Sequence, residues 1–177
     1  MRILIYSLRW LALVNSTLQS RLGRSLAWLI LAMTVIESVI VAARFGADMG
    51  STAVQESVSY LHAIVFMLCL GYAAEADAHV RVDIFYRKFS ALGQAWVNLI
   101  GSLLLLLPYS LFMLFISWDW ALQSWHFGEG SINPGGLPFV YVLKMLVPAA
   151  ASLLTLHALA SSGQQLLKIS FVEGGEH

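Results

Sequence analysis

Four long apolar runs constrain the fold of this chain more than any other feature of its sequence. They cover residues 26–43, 57–74, 96–118 and 137–160, with few charged interruptions. At ~1.5 Å per residue, a helix of about 18 to 24 residues crosses the ~30 Å hydrocarbon layer of a bilayer. Helices are the open-chain structure that can do so, because lipid offers the backbone no hydrogen bonds. The runs therefore predict an all-α membrane protein whose transmembrane domain, residues 25–165, contains four transmembrane helices.

The composition supports this class and excludes several others. Of the 177 residues, 59% are hydrophobic and 11% charged, whereas soluble domains carry about 25% charged residues. The ten basic and ten acidic residues cancel, so no nucleic-acid partner is expected. Cys69 is the single cysteine, lies in an apolar run and is expected to be a small buried residue. The sequence contains no phosphate loop, nucleophile elbow or metal-ligand spacing, so neither enzymatic activity nor a cofactor or metal is expected.

The N-terminal segment, residues 1–24, shows a different periodicity from the spans. At ~100° per residue its leucines gather on one face and its polar residues on another. This pattern predicts an amphipathic helix lying in the membrane interface, with chance periodicity in a juxtamembrane segment as the alternative. We expect no cleaved signal peptide, because Arg9 interrupts the first apolar residues and no small-residue cleavage pattern follows. The apolar face of the predicted amphipathic helix consists of Leu4, Leu8, Leu11, Leu18 and Leu22. Its polar face consists of Arg2, Arg9, Ser16 and Ser20.

The distribution of basic residues predicts the orientation. Eight of the ten basic residues fall in the N-terminal segment, in the loop between the second and third runs and in the tail, residues 166–177. The other side has Arg44, with Lys144 just inside the fourth run. Because cytoplasmic loops carry an excess of Lys and Arg, both termini are predicted to be cytoplasmic. A multi-pass membrane protein in contact with membrane lipid is therefore expected.

The loop between the second and third runs, residues 77–88, is the most distinctive stretch. Asp77 and Arg81, like Asp83 and Arg87, have the i,i+4 spacing of helical ion pairs. A short cytoplasmic helix lying on the membrane or on a partner is one interpretation. A solvated loop with self-cancelling charges is the other.

Within this loop, His79-Val80-Arg81-Val82-Asp83 directly follows the second run. It resembles the His-x-Arg-x-Asp signature of the small, DctQ-type membrane subunit of TRAP (tripartite ATP-independent periplasmic) transporters. The four-span layout with both ends inside is also similar to that family. Other features that resemble it are Gln55-Glu56 before the second run, Ser131 and Gly135-Gly136-Leu137-Pro138 before the fourth, and Lys144 and Pro148 within it.

The resemblance implies a location in a bacterial inner membrane and a function in three parts. A periplasmic solute-binding protein captures an organic acid or similar small solute, and a large polytopic membrane subunit moves it inward on an ion gradient. The small permease subunit packs against the large one and stabilises it, without a substrate site of its own. His79, Arg81 and Asp83 are then subunit-interface residues. His126 and Glu129, in the outer loop, are weaker candidates for contact with the binding protein.

Three ionisable residues inside the runs need an explanation, because such groups mark functional sites or buried pairs. Counted at ~1.5 Å per residue, Glu37, His62 and Lys144 lie about 8 to 10 Å below the outer ends of their runs. We therefore predict a polar cluster in which Glu37 pairs with Lys144 or His62. An ion or proton path is the functional interpretation, and a structural pair or a contact with the large subunit is the favoured one.

Two other functions are compatible with four apolar runs. The first is a structural or assembly subunit of another membrane complex, against which only the His79-to-Asp83 stretch argues. The second is a four-helix redox protein that holds haem between two histidines at one depth. His62 and His157 differ in depth by roughly 22 Å, which disfavours the haem protein.

Overall fold

A computed structural model of the chain describes residues 2–78 and 86–174, and this part is helical without a strand. Four of its helical stretches are long and apolar enough to cross a membrane, as predicted from the four runs. The predicted loop signature, His79, Arg81 and Asp83, lies outside the described residues. The helices are α1 (Arg2–Ala47), α2 (Thr52–Glu75), α3 (Ala91–Ile100), a π-helical turn (Gly101–Leu106), α4 (Leu107–Phe127) and α5 (Val140–Gly174).

Helix α1 is longer than the sequence runs indicated. Its 46 residues correspond to about 69 Å, more than twice the thickness of the hydrocarbon layer. The N-terminal segment predicted as a separate amphipathic helix is helical, and it continues into the first span without a break. Gly23 lies at the junction inside the continuous helix, and its lack of a side chain lets the Tyr72 ring of α2 approach closely. The interfacial position of this segment stays a prediction.

Helix α5 is the central element of the molecule. Helices α1 and α2 pack against each other and against α5, while α3, the π-helical turn and α4 also pack against α5. The N-terminal half of α1 runs beside the C-terminal half of α5, so that Leu8 covers Gly163 and Arg9 lies over the Phe171 ring. We call the end of the bundle where these two halves lie side by side the terminal end. The end that carries the connection between α4 and α5 is called the opposite end.

The contact between α4 and α5 is built from small residues. The buried side chains of α4 are Ser110, Ser117, Ala121 and Ser124, spaced three to seven residues apart on one face. Helix α5 also buries small side chains, those of Ala150, Ala151 and Ala158. Small side chains let membrane helices approach closely, where dispersion contacts and hydrogen bonds between hydroxyls replace the hydrophobic effect. One such bond joins the Thr155 hydroxyl to the Ser110 hydroxyl at 3.0 Å.

Helix α5 also extends beyond the predicted fourth run, and most of the stretch predicted as a tail is helical up to Gly174. Packing explains the extension. Ile169 is buried against Ala95 and Leu99 of α3, which forms a small apolar core at the terminal end. The third run lies in α3, the π-helical turn and α4, and each of these elements packs against α5.

The prolines deep inside the third and fourth runs, Pro108 and Pro148, have different effects. Pro108 lacks an N–H and its ring collides with the preceding turn of an α-helix. The chain accommodates it with the π-helical turn just before it, where the Leu107 N–H bonds to the Ser102 carbonyl, five residues back. Pro148 lies inside α5, is fully buried and does not end the helix.

A glycine at the α1–α2 contact provides a test of this packing. A Cβ added at Gly71 lies 2.5 Å from the Gln19 amide nitrogen, and the Gln19 side chain is fully buried. We expect Gly71→Ala to destabilise the purified protein by about 1–3 kcal/mol relative to Gly101→Ala. The control position is also helical, and a Cβ there meets nothing within 4 Å. Thermal unfolding in detergent measures the difference, and equal melting temperatures for the two variants would contradict the close contact.

Candidate functional site

A polar cavity is lined by described residues on both sides of the stretch that resembles the family signature. Asp77 and Tyr86, on either side of it, line a space of about 590 Å³ at the terminal end, together with Glu75, His157 and Lys168. The Asn98 amide donates a 2.9 Å hydrogen bond to the Tyr86 hydroxyl and so attaches the end of the loop to α3. Asp77 has a left-handed backbone, φ 53°, which turns the chain out of α2. Residues 77–88 are thus anchored on both sides of the stretch that resembles the family signature.

A buried polar cluster joins three helices beside this cavity. The Asn15 amide of α1 donates to the Glu75 carboxylate of α2 at 2.6 Å, and the same carboxylate lies 3.2 Å from His157 Nδ1 of α5. The Gln19 amide bonds to the Asn15 side-chain oxygen at 3.4 Å and to the Leu153 carbonyl at 3.3 Å. Asn15 and Gln19 are completely buried, so these bonds replace water that the amides have lost.

The sequence contained a partial signal for this cluster. Asn15 interrupts an apolar stripe, and an amide in that position needs a partner if the stripe is packed against protein. Glu75 lies at the end of α2 and His157 lies late in α5. Because both are far from Asn15 in the chain, the sequence alone does not identify them as its partners. His157 contacts a carboxylate here, whereas His62 lies in a separate groove between α1 and α2.

At the opposite end, the Glu56 carboxylate of α2 holds the connection between α4 and α5. Its Oε1 accepts hydrogen bonds from the Ser131 hydroxyl at 2.5 Å and the Asn133 amide at 2.9 Å. Its Oε2 accepts the Leu137 backbone N–H at 2.7 Å. Three hydrogen bonds to one carboxylate thus attach α2 to the twelve-residue loop 128–139, which also makes backbone bonds of its own, from the Ser131 N–H to the Leu137 carbonyl and from the Gly136 N–H to the Asn133 carbonyl. Gly136 packs so close to Ser131 and Glu56 that a Cβ there would meet their side chains within 2.7 Å.

The second carboxylate of this end, Glu129, binds the cation of α5. The Lys144 ammonium lies 2.5 Å from Glu129 Oε2 and 4.6 Å from the centre of the Trp120 ring. The Ser124 hydroxyl donates to the same carboxylate oxygen at 2.6 Å. The bond from Lys144, and then that from Ser124, hold the pKa of the Glu129 carboxyl below its usual range.

This ion pair divides the cluster predicted from the runs. Lys144 is bound to Glu129, while Glu37 and His62 line one groove of about 880 Å³ between α1 and α2. Counting along the chain placed all three at one depth, but it did not indicate that Glu129, in the loop, reaches back to Lys144. Of the two residues proposed to meet a periplasmic partner, Glu129 is therefore engaged within the chain, and His126 is exposed.

The described residues show no group of three or more His, Cys, Asp or Glu side chains placed to hold a metal ion. Their polar side chains form two hydrogen-bonded clusters, one at each end of the bundle, and one groove between α1 and α2. The cluster at the terminal end joins three helices, the cluster at the opposite end holds the connection between α4 and α5, and the groove opens to the outside of the molecule.

Removal of the Glu56 carboxylate tests its hold on the outer loop. We expect Glu56→Ala to make residues 128–139 more sensitive to proteinase K in detergent, because the Ser131, Asn133 and Leu137 donors lose their shared acceptor. Gln55→Ala removes the exposed neighbouring side chain and is the matched control. Mass spectrometry of the fragments locates the cuts. Equal cleavage of this loop in both variants would show that the loop is held by other contacts.

The Glu129–Lys144 pair makes a prediction for pH dependence. Because the pKa of Glu129 is lower in the folded than in the unfolded chain, its stabilisation is present above the unfolded-state pKa of ~4.3 and is lost as the pH falls through the folded value. We expect the wild type to melt at a higher temperature than Glu129→Gln near neutral pH, and the two curves to converge below about pH 4. A difference that stays constant with pH would contradict this assignment.

Comparison with known proteins gives a family. The model of the family described as "Tripartite ATP-independent periplasmic transporters, DctQ component" matches residues 31–168, well over half of the chain. No curated protein and no solved structure gave a match. The matched range contains α2 to α4, most of α5, the second half of α1 and the His79-to-Asp83 stretch, and it confirms the resemblance drawn from that stretch. The chain therefore belongs to the DctQ component family of the tripartite ATP-independent periplasmic transporters, as a multi-pass membrane protein.

Proposed function

We propose that this chain is a scaffold subunit, which binds the large membrane subunit of its transporter and stabilises it during ion-driven uptake of an organic acid or similar small solute. The observation that carries the proposal is the open arrangement around α5. Among the described residues, α1 and α2 pack against each other and against α5, and α4 packs against α5 without a comparable contact to α1 or α2. Such a layer leaves broad helix faces for lipid and for a partner.

The positions of the polar groups support the same role. The terminal cluster and the Glu56 and Glu129 contacts each join elements of this chain to one another. The cavity beside Glu75 lies at the terminal end, and the groove with Glu37 lies between α1 and α2. Because the polar groups of these contacts bond to other parts of the same chain, they favour a rigid support over a substrate path through this subunit.

The orientation belongs to the same proposal. With the terminal end in the cytoplasm, the Glu56-held loop faces the periplasm, where a solute-binding protein docks. Ile132 at the tip of that loop is 99% exposed and Phe127 is 85% exposed. The signature residues His79, Arg81 and Asp83 then face the cytoplasm and form part of the contact with the large subunit.

The test is purification of a tagged copy from native membranes in mild detergent, followed by mass spectrometry and a visible absorption spectrum. We expect a large polytopic membrane protein in the eluate and no haem band. A haem band, or a different complex as the co-purified partner, would overturn the scaffold role and favour one of the two other functions considered from the sequence.

The signature arginine provides a matched variant for that experiment. We expect Arg81→Ala to lower the amount of large subunit recovered per copy of this chain, while the chain is inserted in the membrane at its usual level. Lys88→Ala removes one cation from the same loop and should leave the recovery unchanged. Equal loss of insertion and of recovery in Arg81→Ala would indicate a role in folding or topology.

A further inference from the structure

The groove between α1 and α2 carries polar side chains on a surface that faces away from the packed interior. Thr34, Glu37 and Ser38 line it from α1, and Ser59 and His62 line it from α2. All five are exposed in the structure. Exposed polar groups on spanning helices are costly in lipid, so this surface needs an explanation that the clusters at the two ends do not provide.

The depth of the groove places it within the membrane. Glu37 lies ten residues before the end of α1 at Ala47, and His62 lies ten residues after the start of α2 at Thr52. At ~1.5 Å per residue both are about 15 Å from the connection between the helices, a distance shorter than the thickness of a ~30 Å hydrocarbon layer.

Glu37 is the acidic group of the groove, and its carboxylate has no partner among the described residues. The Thr34 and Ser38 hydroxyls donate to the Ile30 and Thr34 carbonyls of their own helix, at 2.9 and 2.8 Å. The His62 ring stacks on Phe66. For the Glu37 carboxylate, the structure shows neither a hydrogen bond nor an ion pair within residues 2–78 and 86–174. Arg44 is seven residues further along α1, about 10 Å nearer the opposite end.

The same helix has a separate face that suits lipid. Trp28, Leu31, Val35 and Val39 are all exposed and follow one another at helical spacing. At ~100° per residue, this apolar stripe lies roughly 100° around α1 from the stripe that contains Glu37. Helix α1 therefore presents one face composed for lipid and another composed for protein.

We propose that the groove receives a membrane helix of the large subunit, and that a cationic or hydrogen-bond-donating side chain of this helix binds the Glu37 carboxylate. The inference rests on the proposed function and names the surface that carries it. The small side chains of Ser38 and Ser59 let a helix backbone approach closely, as in other membrane-helix contacts. A donor at the depth of Glu37 compensates the carboxylate, which lipid tails cannot do.

Photocrosslinking in native membranes tests the surface directly. A benzophenone amino acid is placed at Ser38 or Ser59, inside the groove, and at Val35, on the apolar stripe of the same helix, as the matched control. We expect adducts with the large subunit from both groove positions and few from Val35. Adducts from Val35 alone, or adducts between two copies of this chain from the groove positions, would overturn the proposal.

Substitution of Glu37 tests the charge. We expect Glu37→Leu to reduce recovery of the large subunit about tenfold, because the donor on the partner is left buried and unpaired. The isolated chain should keep its melting temperature, since Glu37 makes no bond within the described residues. Asp119→Leu, which removes an exposed carboxylate from α4, should recover the large subunit normally.

The recovery of the large subunit distinguishes a failure of the groove contact from a failure of the scaffold role. If the wild type recovers the large subunit and Glu37→Leu recovers it equally well, the scaffold role stands and the groove is not the contact. If the wild type recovers no large subunit, the scaffold role itself fails.

Discussion

Close packing of small side chains against α5 is the interaction on which the other elements depend. Lipid provides no hydrophobic effect between helices, so their association relies on short backbone distances and on hydrogen bonds. The serines and alanines of α4 and the alanines of α5 make such distances possible. Because α1, α2, α3 and α4 all contact α5, the last helix of the chain positions every other helix. The result is a layer of helices with wide exposed faces.

Carboxylates complete the structure where the helices end. Glu75 joins α2 to α1 and α5, Glu56 holds the outer loop, and Glu129 binds Lys144. Each accepts bonds from at least two groups, which offsets the loss of water around the charge. Glu37 is a carboxylate within a span for which the described residues provide no such bond. This difference from the other three carboxylates is the basis on which we propose the α1–α2 groove as a contact surface.

This arrangement suits the small component of a transporter with three parts. A support that stays still while its partner moves needs rigid internal connections and a wide contact surface. The two hydrogen-bonded ends supply the first, and the open arrangement around α5 supplies the second. Helix α1 is longer than the hydrocarbon layer is thick, and it also packs against α5.

The sequence by itself determined the number of spans, the all-helical class and the family. These depend on local properties, namely run length, the need of a backbone in lipid to bond to itself, and a short motif in a recognisable position. Only the tertiary structure decided the partners of the charged side chains. Depth counted along the chain put Lys144 level with Glu37, but a count of residues does not specify how the helices are arranged around one another or that a loop carboxylate folds back. The pairing of Lys144 with Glu129, and of Asn15 with Glu75 and His157, joins residues far apart in the chain, and such contacts exist only once the helices have packed.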